Sequence, residues 1–246
     1  VELQDGAYEV RFRATDLAGN VSQIPEPQKI VIDSTPPRIG SYTISLGPLI
    51  LLPEGESFRV PAGTQAKFTV SLESDAKTAF LSIGTAKIQL ANKAGLWETE
   101  ILLGELGEYK MFLTAKDQAG NEAAEREIGT VEAISKAKVI SAENNLPIEG
   151  AQLTVQVFRP DDQSWVRWQA EAYGFSNPVF TDRNGEYDLL LPPGTYRIAL
   201  QKIGFQRLKS SSFELISPGF ITFDFEAQAR KGLRGFFENL LERITF

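Results

Sequence analysis

The sequence predicts an all-β protein: β-sandwich domains in series, closed by a short C-terminal amphipathic helix. Three observations carry this. Apolar and polar residues alternate in run after run, as with Tyr8, Val10, Phe12 and Ala14 against Glu9, Arg11, Arg13 and Thr15. A period of two is the mark of a strand with one face in a core and one in water. Clusters of Gly, Pro, Asn and Asp separate these runs at short spacing. Finally, one stretch occurs twice: Gly6 to Asn20 (GAYEVRFRATDLAGN) returns as Gly107 to Asn121 (GEYKMFLTAKDQAGN) at a constant offset of 101, with seven of fifteen positions identical. A period near one hundred is too long for a solenoid repeat and about the size of one sandwich domain.

Taken in order, residues 1–35 read as the C-terminal part of a domain. A strand from Tyr8 meets the turn Asp16-Leu17-Ala18-Gly19-Asn20, and a second strand ends in Lys29-Ile30-Val31-Ile32-Asp33. Gly and Asn accept positive φ, and an Asp side chain can bond the backbone two residues on, so this is turn chemistry. The second copy has about seventy residues of its own domain ahead of it and the first has five. An incomplete front leaves two expectations: a segment of a longer tandem array, which is preferred, or strands donated by another chain. Asp33-Ser34-Thr35-Pro36-Pro37 reads as a stiff linker, since Pro cannot continue a ladder.

Residues 36–134 read as a complete sandwich of short strands (SYTISL, SFRVPAG, AKFTVSL, AFLSIG, AKIQLA, WETEILLG and YKMFLTA). Gly107-x-Tyr109 fits a tyrosine corner, in which the Tyr hydroxyl bonds back to nearby backbone. The run YEVRFRATDLAGNVS followed by IVIDSTPP resembles the bacterial immunoglobulin-like domains found in tandem on large surface proteins. The resemblance covers Gly6 to Pro37 and, less tightly, the whole of residues 36–134, whose exit GTVEAIS at Gly129 to Ser135 lacks the Asp and Pro-Pro.

Residues 135–228 open on a strand, a turn at Glu143-Asn144-Asn145, and a strand with Leu153, Val155 and Val157 on one face. The Asp182-Arg183-Asn184-Gly185 turn, alternation through Tyr187, Leu189 and Leu191, then Pro192-Pro193-Gly194 and Tyr196, Ile198 and Leu200 predict a hairpin. The set Thr181-Asp182-x-x-Gly185-x-Tyr187, Pro192-Pro193-Gly194-x-Tyr196 and Gly204-Phe205 resembles the carboxypeptidase regulatory-like domain. That resemblance implies a small transthyretin-like sandwich with no catalysis of its own. In residues 229–246, Leu233, Phe236, Phe237, Leu240, Leu241 and Ile244 recur at helical spacing. The helix has three expected docking places: this chain, a partner, or a membrane surface.

Composition narrows function. The 246 residues carry a formal net charge of −7, no Cys and no His. Without Cys there are no disulfides, thiolate nucleophiles or zinc fingers, and without His the commonest general base is missing. Lys and Arg do not cluster on the sheet segments, which argues against nucleic acid. The longest apolar run, Pro48 to Pro53, is far too short to span a bilayer. Ser74-x-x-Lys77 matches a serine-nucleophile motif, but it lies between strands and reads as a turn. Glu54/Glu56 and Asp161/Asp162 read as solvated loop charge.

Asp16, Asp117 and Asp182, with Asn20, Asn121 and Asn184, are weak calcium candidates, since each turn offers one carboxylate and one amide. No other cofactor is expected. Trp165, Trp168, Tyr173 and Phe175 are a candidate sugar platform; an extended chain there puts Trp165 and Trp168 on opposite faces, so at most one is core. Lys–Asn isopeptide bonds would need a buried Lys, Asn and acid in contact. The structural residues are Tyr8, Tyr109 and Tyr196 as corner or core tyrosines, and Gly19, Gly120, Gly185 and Gly194 in turns. The resemblances imply a non-enzymatic stalk, layer or filament segment of a secreted or cell-surface bacterial protein, with other domains or copies of that protein as partners. Two alternatives stand beside it: a glycan-binding module using Trp165 or Trp168, and the accessory domains of a hydrolase.

Overall fold

The structure is a computed structural model that describes residues 3–55, 57–73, 75–230 and 232. Among these residues it is all-β, with short strands and one 3-10 turn, Ala170–Tyr173. The chain divides into two compact units, residues 1–42, 70–99 and 111–128, and residues 43–69, 100–110 and 129–246.

Strand Gly6–Val10 pairs antiparallel with Gln28–Ile32, from Gly6↔Ile32 to Val10↔Gln28. The predicted strand stops at Val10, and its expected buried face is not buried: Phe12 is 61% exposed and Val31 76%. The alternation is real, but two strands alone cannot cover a face.

Two five-stranded sheets follow. One has the order Leu49–Leu51, Ile39–Leu46, Gln65–Leu72, Leu96–Leu102, Ala91–Lys93; the other Ser57–Pro61, Arg126–Ile134, Gly107–Asp117, Ala76–Ile83, Ala86–Gln89. Ser57–Pro61 runs parallel to Arg126–Ile134, and its Pro closes an edge strand, where no further ladder bond is needed. Burial keeps the period of two: Ala66, Phe68 and Val70 on one strand, Ala79, Leu81 and Ile83 on another, Met111, Leu113 and Ala115 on a third. The apolar run at Pro48 to Pro53 becomes strand Leu49–Leu51, with Leu49 and Leu51 buried and Ile50 exposed. Gly107–Asp117 carries the same alternation to its last residue, so Asp117 faces inward. A register shift there sets Asp117 opposite Ala76, leaving Lys77 as the bulged residue.

In the C-terminal region, Glu186–Tyr187, Ala137–Ser141 and Phe225–Ala227 form one sheet. Ser164–Arg167, Gln152–Arg159, Gly194–Gln201 and Leu208–Lys209 form another. Val139, Leu191 and Phe225 meet Leu153, Val155, Tyr196 and Ile198 in one buried cluster, so this region is a sandwich. Truncating any of its large aliphatics costs on the order of 2–5 kcal/mol.

Two expectations are corrected here. The hairpin from Tyr187–Leu191 into Tyr196–Leu200 does not form. Glu186–Tyr187 pairs with Ala137–Ser141 and Leu190–Leu191 with Gly219–Phe220, whereas Gly194–Gln201 pairs with Gln152–Arg159. Both segments bury apolar residues in the same core from different sheets, and Pro192 and Pro193 have no N–H with which to ladder across. The helix expected over 229–246 does not begin at 229: Ala229 bridges Phe205, and the Arg230 amide donates to the Gly204 carbonyl at 2.8 Å. The rest of that helix, 231 and 233–246, lies outside the described residues. No helix among the described residues is long and apolar enough to cross a membrane.

Candidate functional site

The repeated sequence builds the same turn twice. Asp16 Oδ1 accepts from the Ala18 and Asn20 amides at 2.9 and 2.8 Å, and Asn20 Nδ2 donates to Asp16 Oδ2 at 2.8 Å. Asp117 Oδ1 accepts from the Gly120 and Asn121 amides at 2.6 and 2.8 Å, and Asn121 Nδ2 donates to Asp117 Oδ2 at 2.8 Å. The backbone closes identically, Asp16 N to Asn20 O and Asp117 N to Asn121 O. Gly19 (φ +88°) and Gly120 (φ +102°) hold backbone that other residues rarely adopt. Tyr8 and Tyr109 each donate to the carbonyl four residues upstream, Gln4 and Glu105, as tyrosine corners. Tyr196 does the same to Pro192, and burial, then the neighbouring Tyr173, pushes its hydroxyl up to about 12.

The surroundings of the two turns differ. Asp16 is exposed, whereas Asp117 is 1% exposed. Asn121 Nδ2 also donates to the Asp33 carbonyl at 2.9 Å. Asp5 holds the same segment from the other side, accepting from the Ser34 amide and hydroxyl and from the Thr35 hydroxyl. The stretch Asp33–Thr35 is therefore clamped by Asp5, just ahead of the first copy of the repeat, and by Asn121 of the second.

At this clamp the carboxylates of Asp33, Asp75 and Asp117 come together, with one oxygen from each within 4.8 Å of the others. Asp75 Oδ1 is shielded from solvent and has no hydrogen-bond partner. Burial pushes the Asp117 carboxyl up, but the Asn121 side chain and the amides of Asn121, Gly120 and Ala119 outweigh it and hold the carboxyl below its usual 3.8. Three carboxylates this close repel unless a cation lies among them. Hard oxygen ligands suit calcium or magnesium, with carbonyls or water completing the shell. Asp117 was legible in the sequence; Asp33 and Asp75 were not, because nothing local marks them as its neighbours.

The other calcium candidates stand apart from this group. Asp16 caps its own turn, and the Asn20 side chain above all keeps its carboxyl low. Asp182 Oδ1 accepts from the Asn184 and Glu186 amides at 2.8 and 2.9 Å, and Asp182 is itself exposed. In that turn Gly185 is obligatory: its φ is +70°, and a Cβ would lie 2.6 Å from the Val139 carbonyl oxygen.

Trp165 and Trp168 do face opposite ways. Trp168 is 5% exposed, between Tyr173 (5.7 Å) and Tyr196 (6.4 Å, edge-on), so its ring packs the core and offers no platform. Trp165 is half-buried on the outer face. Phe158 lies 5.3 Å from its ring, and the Arg197 guanidinium sits over it at 4.4 Å. Asp162 caps the neighbouring turn through the Ser164 hydroxyl, which keeps its carboxyl low, and pairs with Arg159. Asn177 is buried and directs its amide to the Val155 and Trp168 backbones, while no described Lys is buried. Ser74 and Glu56 lie outside the described residues.

No family model and no curated protein matches the chain. Among solved structures, dimeric latent PorU from Porphyromonas gingivalis aligns at a TM-score of 0.31 and 13% identity, covering 81% of this chain and 21% of that one. The fibronectin(III)-like modules of Clostridium thermocellum CbhA align at 0.30 and 16%, covering 78% and 97%. The pilus 2b backbone protein of group B streptococcus aligns at 0.27 and 12%, covering 77% and 98%. The chain spans about a fifth of the PorU chain. At these TM-scores the likenesses say nothing of individual residues or roles.

Proposed function

We propose that the chain is a non-enzymatic structural segment of a modular bacterial cell-surface or secreted protein. In this reading, β-modules (1–35, 36–134 and 135–228) follow one another, the first connection being clamped at Asp33–Thr35. One observation carries the reading: the turn written twice in the sequence is built twice with the same bonds, and the second copy reaches back through Asn121 to hold Asp33. A spacer that must keep its shape needs such ties, because a free linker adds entropy at every junction. The missing His and Cys take away the commonest nucleophile–base pairs, and the Asp side chains of the turns cap backbone, which favours a structural role.

The test is protease shaving of intact cells of the source organism. Peptides of this chain should be released while cytoplasmic markers are retained. Recovery only after lysis overturns the reading, as does hydrolase turnover by the isolated chain on a glycan or peptide panel.

A second reading concerns the clamp itself: Asp33, Asp75 and Asp117 take a hard divalent cation, calcium by preference, that stiffens it. The shielded, unpartnered Asp75 Oδ1 favours this, since an unpaired carboxylate oxygen out of water is costly. Calorimetric titration of metal-stripped protein with calcium should give one saturable site; absence of heat and of any change in melting sinks it.

A further inference from the structure

We propose that the outer face of the Ser164–Arg167, Gln152–Arg159, Gly194–Gln201 sheet binds an acidic saccharide, with the Arg197 guanidinium stacked on Trp165 as the receptor for its carboxylate. The registers Gln156↔Arg197, Gln156↔Arg167 and Phe158↔Trp165 put these five side chains on one side of the sheet, opposite the face that Val155, Tyr196 and Ile198 bury. Arg197 is held on two sides. Its Cζ lies over the Trp165 ring, 4.4 Å from the centroid, and its Nε donates to Gln156 Oε1 at 2.7 Å.

What remains of Arg197 points to a ligand. Its Nη1 and Nη2 have no partner among the described residues, and neither is a buried orphan, so both face water. The protein has more acids than bases, yet this half-buried Arg has no carboxylate within ion-pair distance. The neighbouring acids are accounted for or out of reach. Glu171 pairs with Arg167 at 3.3 Å, and Glu214 sits opposite Thr195 without reaching Arg197. An arginine oriented by a ring and an amide, with both terminal nitrogens free, is preorganised for a bidentate carboxylate.

The rest of the face suits a sugar chain. Phe180, 60% exposed, lies on the same side through its pairing with Gln152, and Thr154 and Gln156 supply hydroxyl and amide groups between it and Trp165. Flat aromatic surface with hydroxyl-binding groups around it is how sugar rings are held, and a uronic acid adds the carboxylate that Arg197 lacks. An acidic peptide would want a free sheet edge or deep pockets, and this is the solvent face of paired strands.

The experiment uses the full chain. Pentagalacturonate is titrated against it, followed by tryptophan fluorescence and saturation-transfer NMR, with cellopentaose as the neutral control and a poly-glutamate peptide as the acidic one. The expected result is saturable binding of the pentagalacturonate alone. Affinity should fall at least tenfold in Arg197→Lys, which keeps the charge but loses the fork, and in Arg197→Gln. Circular dichroism and melting of both variants should match the parent, because Arg197 lies outside the core. No binding by the parent, equal binding of cellopentaose, binding of poly-glutamate in place of the saccharide, or full affinity in Arg197→Lys each overturns the proposal. If Arg197→Gln unfolds, Gln156→Ala takes its place, with a loss of at least threefold expected because Arg197 is no longer held.

Discussion

The turns Asp16–Asn20 and Asp117–Asn121 have the same sequence pattern and the same Asp–Asn and backbone closures but different surroundings. The first sits on an exposed hairpin and serves only itself. In the second, Asp117 is buried, Asn121 grips Asp33, and the Asp117 carboxylate faces two more. What differs is the packing around the loop, and the contrast shows that one local motif can be a plain turn in one place and the frame of a site in another.

The largest expected effect separates turn geometry from turn surroundings. Gly185→Ala should cost about 3 kcal/mol, since it adds left-handed strain to a clash with the Val139 carbonyl. Gly19→Ala, with nothing within 4 Å of its Cβ, should cost only about 1 kcal/mol of backbone strain. Urea unfolding followed by tryptophan fluorescence checks both, and equal costs would mean that close packing at Gly185 does not matter.

Next comes the asparagine pair. Asn121→Ala removes bonds to Asp117 Oδ2 and the Asp33 carbonyl and leaves the former buried, for a loss of about 2 kcal/mol. Asn20→Ala exposes Asp16 Oδ2 to water and should cost roughly 0.5 kcal/mol. The same unfolding curves decide it.

A smaller effect separates the acids. Calcium should raise the melting temperature of the parent and of Asp16→Asn by several degrees, and leave Asp75→Asn unmoved. In chelator, Asp75→Asn should melt at or above the parent, because one of three mutually repelling carboxylates is gone. A calcium shift that survives in Asp75→Asn would break the distinction between the two turns.

The smallest is the pH response. The Asp16 and Asp117 carboxyls are lowered in the folded chain, so their contribution is full above the unfolded value near 3.8 and is lost as pH falls through the folded values. Stability should therefore drop below about pH 4. With no His, there is no imidazole to titrate between pH 5 and 8. Asp16→Asn and Asp117→Asn should each flatten the acid limb, as read by melting between pH 2.5 and 6.

Several features were legible because they close within four or five residues. The Asp–Asn turns, the Gly-x-Tyr corners at Tyr8, Tyr109 and Tyr196, and the opposite facing of Trp165 and Trp168 all follow from backbone geometry that neighbours in sequence control. Burial was legible only where a second layer exists. Val10 and Phe12 alternate as faithfully as Met111 and Leu113, yet only the latter pair is buried. Pairing partners were not legible: Leu190–Leu191 and Gly194–Gln201 look like a hairpin and join different sheets.

By itself, then, the sequence determined the strand period, the turn chemistry and the absence of thiol and imidazole chemistry. Each depends on residue type and on spacings of two to five. The tertiary structure alone decided that Asp33, Asp75 and Asp117 meet, that Trp168 is core, and that Arg197 lies on Trp165 with its fork free. Those contacts join strands far apart in the chain. They arise when apolar faces are buried together, which leaves no mark in the local spacing of the residues that are thereby brought into contact.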